Sequence, residues 1–425
     1  MSTDQITAAG ARIKRRLVVL GGGTAGTMAA NKLRHRLPTD DWSITVVDQS
    51  PTHFYQPGFL FLPFGTYQPH EVWRPRERYI HHGIELVEAE IDHVAPDENV
   101  VVLKDARELP YDYLIIATGT TPRPDQTPGM ADDMGGDVHQ FYTYDGAVRL
   151  AERFRTWDGG RLVVHVTEMP IKCPVAPLEF TFLADAFFTD KGMRDRVDLT
   201  YVTPLEGAFT KPVSSHVLGG MLADRKIALE SDFMIESVDP VAKKLVSYDG
   251  REIEYDLLVT VPVNMGADFV ARSGLGDDLN YVPVDKETLL SKAHDNIFAI
   301  GDASNIPASK AGSVAHFSME QLPDNFVDHV HGRPMRHRFD GHANCFIETG
   351  HGKGLLIDFN YDTEPLTGKY PLPGVGPFSL LQETAANHWG KVSFRWMYWN
   401  LLLPGRPIPL PSRMTMAGKH QPADS

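Results

Sequence analysis

Cysteine is almost absent from this chain of 425 residues: Cys173 and Cys345 are the only two, 172 positions apart. Two thiols make no disulfide scaffold. In a reducing compartment such a pair is buried and inert, metal-binding or redox-active. Long apolar runs are also missing. No stretch approaches the roughly 18–20 apolar residues of a membrane-crossing helix, and residues 1 to 15 lack the apolar segment of ~7–15 residues that a secretory signal needs. Neither a spanning helix nor a signal peptide is therefore expected. Positive charge is scarce: 41 Lys and Arg stand against 55 Asp and Glu, a net charge of -14, which argues against nucleic acid as the main partner. Low-complexity stretches are absent, and no metal site is expected. A hydrophobic content of 42% allows a large core, and the length suggests two or three domains.

The chain is organised around residues 16 to 48. Arg16 to Leu20 reads as a buried parallel strand; Gly21, Gly23 and Gly26 follow as G-x-G-x-x-G; a helical pattern runs from Thr27 to Leu37; and Ile44 to Val47 forms a second apolar run ending at Asp48. The glycines suit a tight turn, close backbone approach to a pyrophosphate and close helix–strand packing. The free N–H groups and positive dipole end of the helix would face the phosphates. Asp48 lies 22 residues after Gly26, near the ~20 expected of a carboxylate that holds a ribose hydroxyl. This context predicts a dinucleotide site.

After Asp48 comes an aromatic, Pro- and Gly-rich segment that reads as a loop over something flat and apolar, or as an ordinary hydrophobic loop. Ile84 to Leu103 alternates like a small β-meander and leads into the buried strand and Gly turn Tyr111 to Gly119. A similar string recurs. Tyr255 to Val259 matches Tyr111 to Ile115 at an offset of 144, Arg161 to Val164 repeats Arg16 to Val19 at an offset of 145, and Ile227 to Ser247 resembles the meander. One α/β unit duplicated, with the second copy inserted after the first, explains this. At the same offset the fingerprint glycines fall on Val166, Glu168 and Ile171, and Asp48 corresponds to Thr203. Bulky side chains and Glu168 would exclude a pyrophosphate. The second unit thus keeps its framework without a nucleotide site, and the segment Lys172 to Glu179 stands in its place. From Asn296 the chain returns to the first unit with a buried strand ending in Gly301-Asp302, at the carboxyl edge where ligands of open α/β sheets collect. Lys310, Gly312 and Ser313 open a further helix, with Ser313 as a candidate cap.

Together the first fingerprint, Ala117-Thr118-Gly119 and Gly301-Asp302 resemble the two-dinucleotide-domain flavoproteins over residues 16 to about 330. Those bind FAD in the first unit and usually NAD(P)H in the second. The disabled second unit, Cys173 six residues before Glu179, and Cys345 in HANCFIETG resemble the sulfide:quinone oxidoreductase and flavocytochrome c sulfide dehydrogenase branch. The tail NHWGKVSFRWMYWNLLLPG is similar to some sulfide:quinone oxidoreductases. Two features depart: no third cysteine lies near residues 130–145, and no histidine position carries over.

The resemblance implies an α/β protein with two Rossmann-like domains and a membrane-associating C-terminal region. Residues 13–125 form the first part of the FAD domain, 126–284 the second Rossmann-like domain, 285–345 the return, and 346–425 the quinone and membrane region. FAD would contact Gly21, Gly23, Thr24, Ala25, Gly26, Asp48, Gln49, Gln56, Thr118, Gly119, Gly301, Asp302, Lys310, Gly312 and Ser313. Cys173 and Cys345 would face one another at the flavin, hydrosulfide would open the bridge between them, and Glu179 would move protons. Lys172, beside Cys173, is expected to favour its thiolate, and Lys310 with the helix near Ser313 to stabilise charge on reduced flavin. Phe346, Phe378 and Lys391 would meet a quinone.

The acceptor side is read from residues 391 to 420, which hold five Lys and Arg among Trp, Tyr and Leu but no Asp or Glu, followed by Pro404, Pro407, Pro409 and Pro411. This composition suits a helix lying on anionic lipid rather than crossing it, or an amphipathic helix packed on the core. The expected partners are sulfide or a related small sulfur donor, a quinone and the cytoplasmic face of a membrane, with homo-oligomerisation left open. The rival readings are a sulfide dehydrogenase using cytochrome c, a type II NADH:quinone reductase-like enzyme, and a non-enzymatic FAD-binding protein.

Overall fold

A computed structural model describes residues 14–408 and 410–420. The segment before residue 14, on which the signal-peptide expectation bears, Pro409 and the last five residues of the tail region lie outside the described residues. Two parallel sheets of five strands dominate. In the first, the order is Ile297–Ala299, Tyr113–Ile116, Arg15–Leu20, Trp42–Asp48, Glu85–Glu88. In the second it is Val138–His139, Leu257–Val261, Gly160–Val166, Val197–Val202, Ala228–Glu230. The central strands are covered on both faces, which is why they read as continuous apolar runs rather than alternations.

The duplication extends to details that sequence identity alone would not reveal. Each sheet carries an antiparallel three-stranded meander, Ile91–Pro110 and Ile235–Glu254, and both meanders shift register at the same place, Ile91/His93 and Ile235/Ser237. The carboxylate of Asp112 accepts from the backbone N–H of Arg16 at 2.7 Å and from its guanidinium; Asp256 does the same for Arg161, with the backbone bond at 2.8 Å. One acid thus clamps the start of each central strand to its neighbour.

The copies differ where it matters. Three residues separate the first strand, Arg15–Leu20, from its helix, Thr24–Arg34. Nine separate Gly160–Val166 from Ala176–Asp190. Register does place Thr203 opposite Asp48, because Val47 pairs with Leu20 and Val202 with His165. The uniform offset through Ile171, however, is overturned: the longer loop breaks the correspondence beyond the strand and carries Cys173 away from where a glycine turn would lie.

The C-terminal portion is a third five-stranded sheet, in the order Ala343–Gly350, Lys353–Phe359, Gly376–Leu380, Thr367–Leu372, Lys419–His420. The helix Ala385–Met397 packs on it and continues as a π turn, Tyr398–Leu402. Of the two expectations for the tail, the helix packed on the core is the one seen at its C-terminal end. Tyr398, Trp399, Leu402 and Leu403 are buried in the main core, and the Tyr398 hydroxyl bonds Thr24 Oγ1 and His53 Nε2, each at 2.7 Å. Three of the five positive charges are already paired, Lys391 with Glu179, Arg395 with Glu71 and Lys419 with Asp358. Trp389 and Trp396 remain exposed, at 66% and 61%.

Lys419 is part of a latch. Its ammonium meets Asp358, which also accepts from His342 Nε2 at 2.7 Å and Asn344 Nδ2 at 3.0 Å, all beneath the surface. Burial alone would raise the Asp358 carboxyl, but the bond and charge of His342 and the charge of Lys419 outweigh it and hold it below its ordinary value. A depressed carboxylate contributes stability that is fully present above its unfolded value of ~3.9 and is lost as pH falls through the folded value. Asp358→Asn is therefore expected to lower the thermal midpoint at neutral pH and to flatten the acid limb below about pH 4. Melting curves between pH 3 and 7 check this; parallel curves for the two proteins would contradict it.

Candidate active site

One cavity of about 580 Å³ joins the first sheet's carboxyl edge to the loop that carries Cys173. Its floor is the glycine turn. Gly21 adopts φ +95°, and a Cβ on Gly26 would stand 1.8 Å from the Gly21 carbonyl oxygen, so the helix can approach the strand only without side chains there. Gly23 and Gly119 border open space, where an added Cβ would meet nothing within 4 Å. The helix Thr24–Arg34 starts without a side-chain cap, and the Thr118 hydroxyl is buried without a partner. Unused N–H groups, an orphan hydroxyl and bare backbone facing one cavity fit a dinucleotide phosphate chain. Gly26→Ala is expected to yield folded protein with little bound flavin, read as the ratio of absorbance near 450 nm to that at 280 nm. Full flavin content would contradict this role.

Most expected cofactor contacts line this cavity: Gly21, Gly23, Thr24, Ala25, Asp48, Gln49, Gln56, Thr118, Gly119, Gly301, Asp302, Lys310 and Gly312. Gly26 lies under the turn. Asp48 is already engaged, accepting from Gly22 N–H at 2.8 Å and Ser50 N–H at 3.0 Å and pairing with Arg76 at 2.9 Å. Sequence reasoning missed Arg76. It is buried and also bonds the carbonyls of Gly22, Ser50 and Thr52. Lying in the charged, surface-like run WRPRERY, it carries no local signal of burial.

One expectation is corrected. Ser313 is not a cap: the helix begins at Gly312 with Ala311 in the cap position, and the Ser313 hydroxyl accepts from Asn344 N–H at 3.2 Å and bonds Cys345. Lys310 is buried. Its ammonium staples the Gly–Asp turn through the carbonyls of Asp302 at 2.9 Å and Ser304 at 3.0 Å, lies 3.5 Å from the Tyr281 ring centre, and is brought down to about 8 by burial. Lys172 is shared: its Nζ donates to Gln56 Oε1 at 2.9 Å and sits over the Tyr142 ring, and charge on Asp302 and on Cys173 holds its ammonium up against burial.

The sulfur side is assembled from three separate segments. Cys173 stands at φ +50° in the long loop, with its N–H bonded to the Lys310 carbonyl and its own carbonyl accepting from the Tyr142 hydroxyl. Cys345 lies within the strand Ala343–Gly350. Both are free thiols, half-buried by surface yet deep in the molecule, and close enough for charge on Cys345 to raise Cys173. Burial is the largest influence and pushes both upward, Cys345 to about 11; Glu179 adds to this, and Lys391 opposes it. A cation that lowers Cys173 is thus Lys391, contributed from more than two hundred positions away.

Glu179, in the first turn of Ala176–Asp190, is fully buried. Its Oε1 accepts from Lys391 Nζ at 2.7 Å and from Glu348 N–H at 2.8 Å, while Oε2 has no partner. Lys391 also donates to the Phe346 carbonyl at 2.9 Å. Glu179 and Lys391 border the cavity with Cys173. Phe346 and Phe378 do not. Their rings meet edge-on at 5.0 Å over Gly390, in a small cluster with Leu356, Tyr370 and Leu380. Sequence reasoning also missed Glu348 and His388, whose hydrogen-bonded side chains lie next to this group.

Fold and site define a flavoprotein of the kind whose family is described as pyridine nucleotide-disulphide oxidoreductase; that family's model matches residues 15–164. The cofactor is FAD. More narrowly, the chain is 28% identical to the mitochondrial sulfide:quinone oxidoreductase of Dictyostelium discoideum, over 92% of this chain and 86% of the relative. It is 26% identical to the Mus musculus protein of the same name, with the same coverage of both chains. Among solved structures, the sulfide:quinone oxidoreductase of the hyperthermophilic bacterium Aquifex aeolicus superimposes with a TM-score of 0.78 at 19% identity, covering 92% of each chain. The resemblance to sulfide:quinone oxidoreductases seen in the sequence is borne out, and the chain is an FAD-dependent oxidoreductase.

Proposed function

We propose that this protein oxidises sulfide to sulfane sulfur at Cys173 and Cys345 and delivers the electrons through FAD to a quinone. The observation that carries the reading is the convergence of Cys173, Glu179 and Lys391 on the same cavity as the glycine turn. FAD, when bound, takes two electrons from the cysteine pair and gives them to the quinone. The chain's own residues do the rest. Hydrosulfide attacks the Cys173–Cys345 bridge of the oxidised enzyme; one S–S bond breaks as another forms, leaving a persulfide on one cysteine and a thiolate on the other. Loss of the electron pair lets that thiolate bond to the persulfide sulfur, and the persulfide proton passes to Glu179, whose Oε2 is unengaged. Lys391 compensates the negative charge held so deep in the protein.

Burial that raises both thiols supports a cycle in which the resting reduced pair is protonated and inert toward stray electrophiles. The nine-residue loop after Val166 supports it too, because a pyridine nucleotide would need a short glycine turn there. Among the described residues no helix is long and apolar enough to cross a membrane. Exposed Trp389 and Trp396, on the helix that carries Lys391, support docking on a bilayer surface from which a quinone could enter. Phe346 and Phe378, one residue from Cys345 and against Gly390, would flank the ring. The test is rapid mixing under anaerobic conditions. Sulfide should bleach the flavin, and a short-chain quinone should restore it faster than cytochrome c does; recovery by cytochrome c alone would replace the quinone reading.

A further inference from the structure

The quinone chemistry proposed above consumes protons beside a carboxylate that is itself fully buried. Glu179 is fully buried, and its charged partner Lys391 spends two of its donors on Glu179 and the Phe346 carbonyl. A carboxylate in such a position can cycle only if a route connects it to solvent. Directly behind it lies Glu348, whose side chain is 2% exposed and whose backbone N–H is bonded to Glu179 Oε1. The two oxygens of Glu348 lie 3.1 and 2.9 Å from Nδ1 of His388, and the His388 side chain, at 23%, is the most exposed of the group, ahead of Lys391 at 13%.

We propose that His388 and Glu348 form the proton route between solvent and the Glu179–Lys391 pair. The inference rests on the quinone-reducing reading and assigns it two further residues. Charge counting supports it. Glu179 and Glu348 face a single ammonium, Lys391, so the buried group carries one uncompensated negative charge unless a proton sits on it, and His388 is the group placed to supply that proton. Burial pushes the Glu348 carboxyl upward, His388 and Lys391 oppose this, and Glu179 adds to it. The other titratable neighbours do not offer the same route. Tyr67, raised by burial, has a buried hydroxyl without a partner. Arg395, over the Tyr67 ring, pairs with Glu71, and Arg225 is bound to Glu383 and the Thr349 carbonyl. Cys173 lies on the cavity side. In the transfer, a proton entering at His388 Nε2 is matched by one leaving Nδ1 for Glu348, and then by one passed to Glu179 or Lys391 as the quinone takes up its own; no electron moves along this path.

The test uses FAD-loaded protein reduced by dithionite and mixed with a short-chain quinone, so that it does not depend on sulfide. His388→Ala, at a partly exposed position, should slow reoxidation at least about tenfold, with added imidazole restoring most of the loss. Glu348→Gln should slow it comparably, and Glu348→Asp should recover part. Sulfide-driven bleaching in His388→Ala should stay within about twofold of wild type, since that half-reaction loads Glu179 with the persulfide proton and needs none delivered through His388. Unchanged reoxidation in His388→Ala, equal slowing of both half-reactions, or failure of imidazole to rescue would overturn the relay while leaving the functional reading intact. Wild-type protein that sulfide bleaches but quinone cannot reoxidise would overturn the quinone reading and the relay with it.

Discussion

Replacing either Cys173 or Cys345 by serine is expected to slow sulfide-dependent bleaching of the flavin by on the order of a thousandfold or more, because the two sulfurs act as one unit and neither half can turn over alone. The argument is local. Serine keeps the backbone bonds that hold Cys173 in its φ +50° turn, from its N–H to Lys310 and from Tyr142 to its carbonyl. At Cys345 the strand pairing with Ile357 is untouched. Flavin content, dithionite reduction and reoxidation by quinone should therefore remain near wild type, which separates loss of sulfur chemistry from loss of fold. A variant keeping a tenth or more of the wild-type bleaching rate would show that the other sulfur is dispensable.

Glu179→Gln is expected to destabilise the protein by about 3–5 kcal/mol, because it strands the Lys391 ammonium in the interior. Burial pulls that ammonium down, and Glu179 is the largest influence holding it up. The pair is well satisfied at 2.7 Å, with the Phe346 carbonyl and Glu348 N–H filling adjoining positions. Removing both charges together, in Glu179→Gln with Lys391→Met, should restore most of the stability, since an apolar replacement of a buried pair is often neutral. It should not restore turnover. Urea unfolding of the two single variants and the double variant gives the coupling energy directly. A double variant no more stable than the singles would mean that the two groups are not held together by charge.

Much of this arrangement can be read from local pattern. The first strand, the glycine turn, Asp48 and the return at Gly301-Asp302 are short-range signals, and the duplicated unit shows at offsets of 144 and 145 because strand, meander and clamp acids keep their spacing. The spacing of Cys173 to Glu179 likewise sits within one loop and one helical turn. What was not legible depends on contacts between distant segments. Arg76 lies in a run of charges yet is buried under the glycine turn because Asp48 and three carbonyls receive it. Lys172 adjoins Cys173 in sequence but also bonds Gln56, while a second cation at the sulfur, Lys391, comes from a distant helix. Nor could the sequence show that three of the tail's five positive charges are taken up by Glu179, Glu71 and Asp358. The fixed offset also failed in the loop after Val166, where six added residues change the path without altering the flanking strand and helix.

The central claim is that thiols, not a pyridine nucleotide, feed this flavin, and a paired anaerobic titration tests it most directly. With the FAD-loaded protein, stoichiometric sulfide should bleach the flavin band while NADH and NADPH leave it unchanged. Rapid bleaching by a nicotinamide nucleotide, with sulfide inert, would contradict the account.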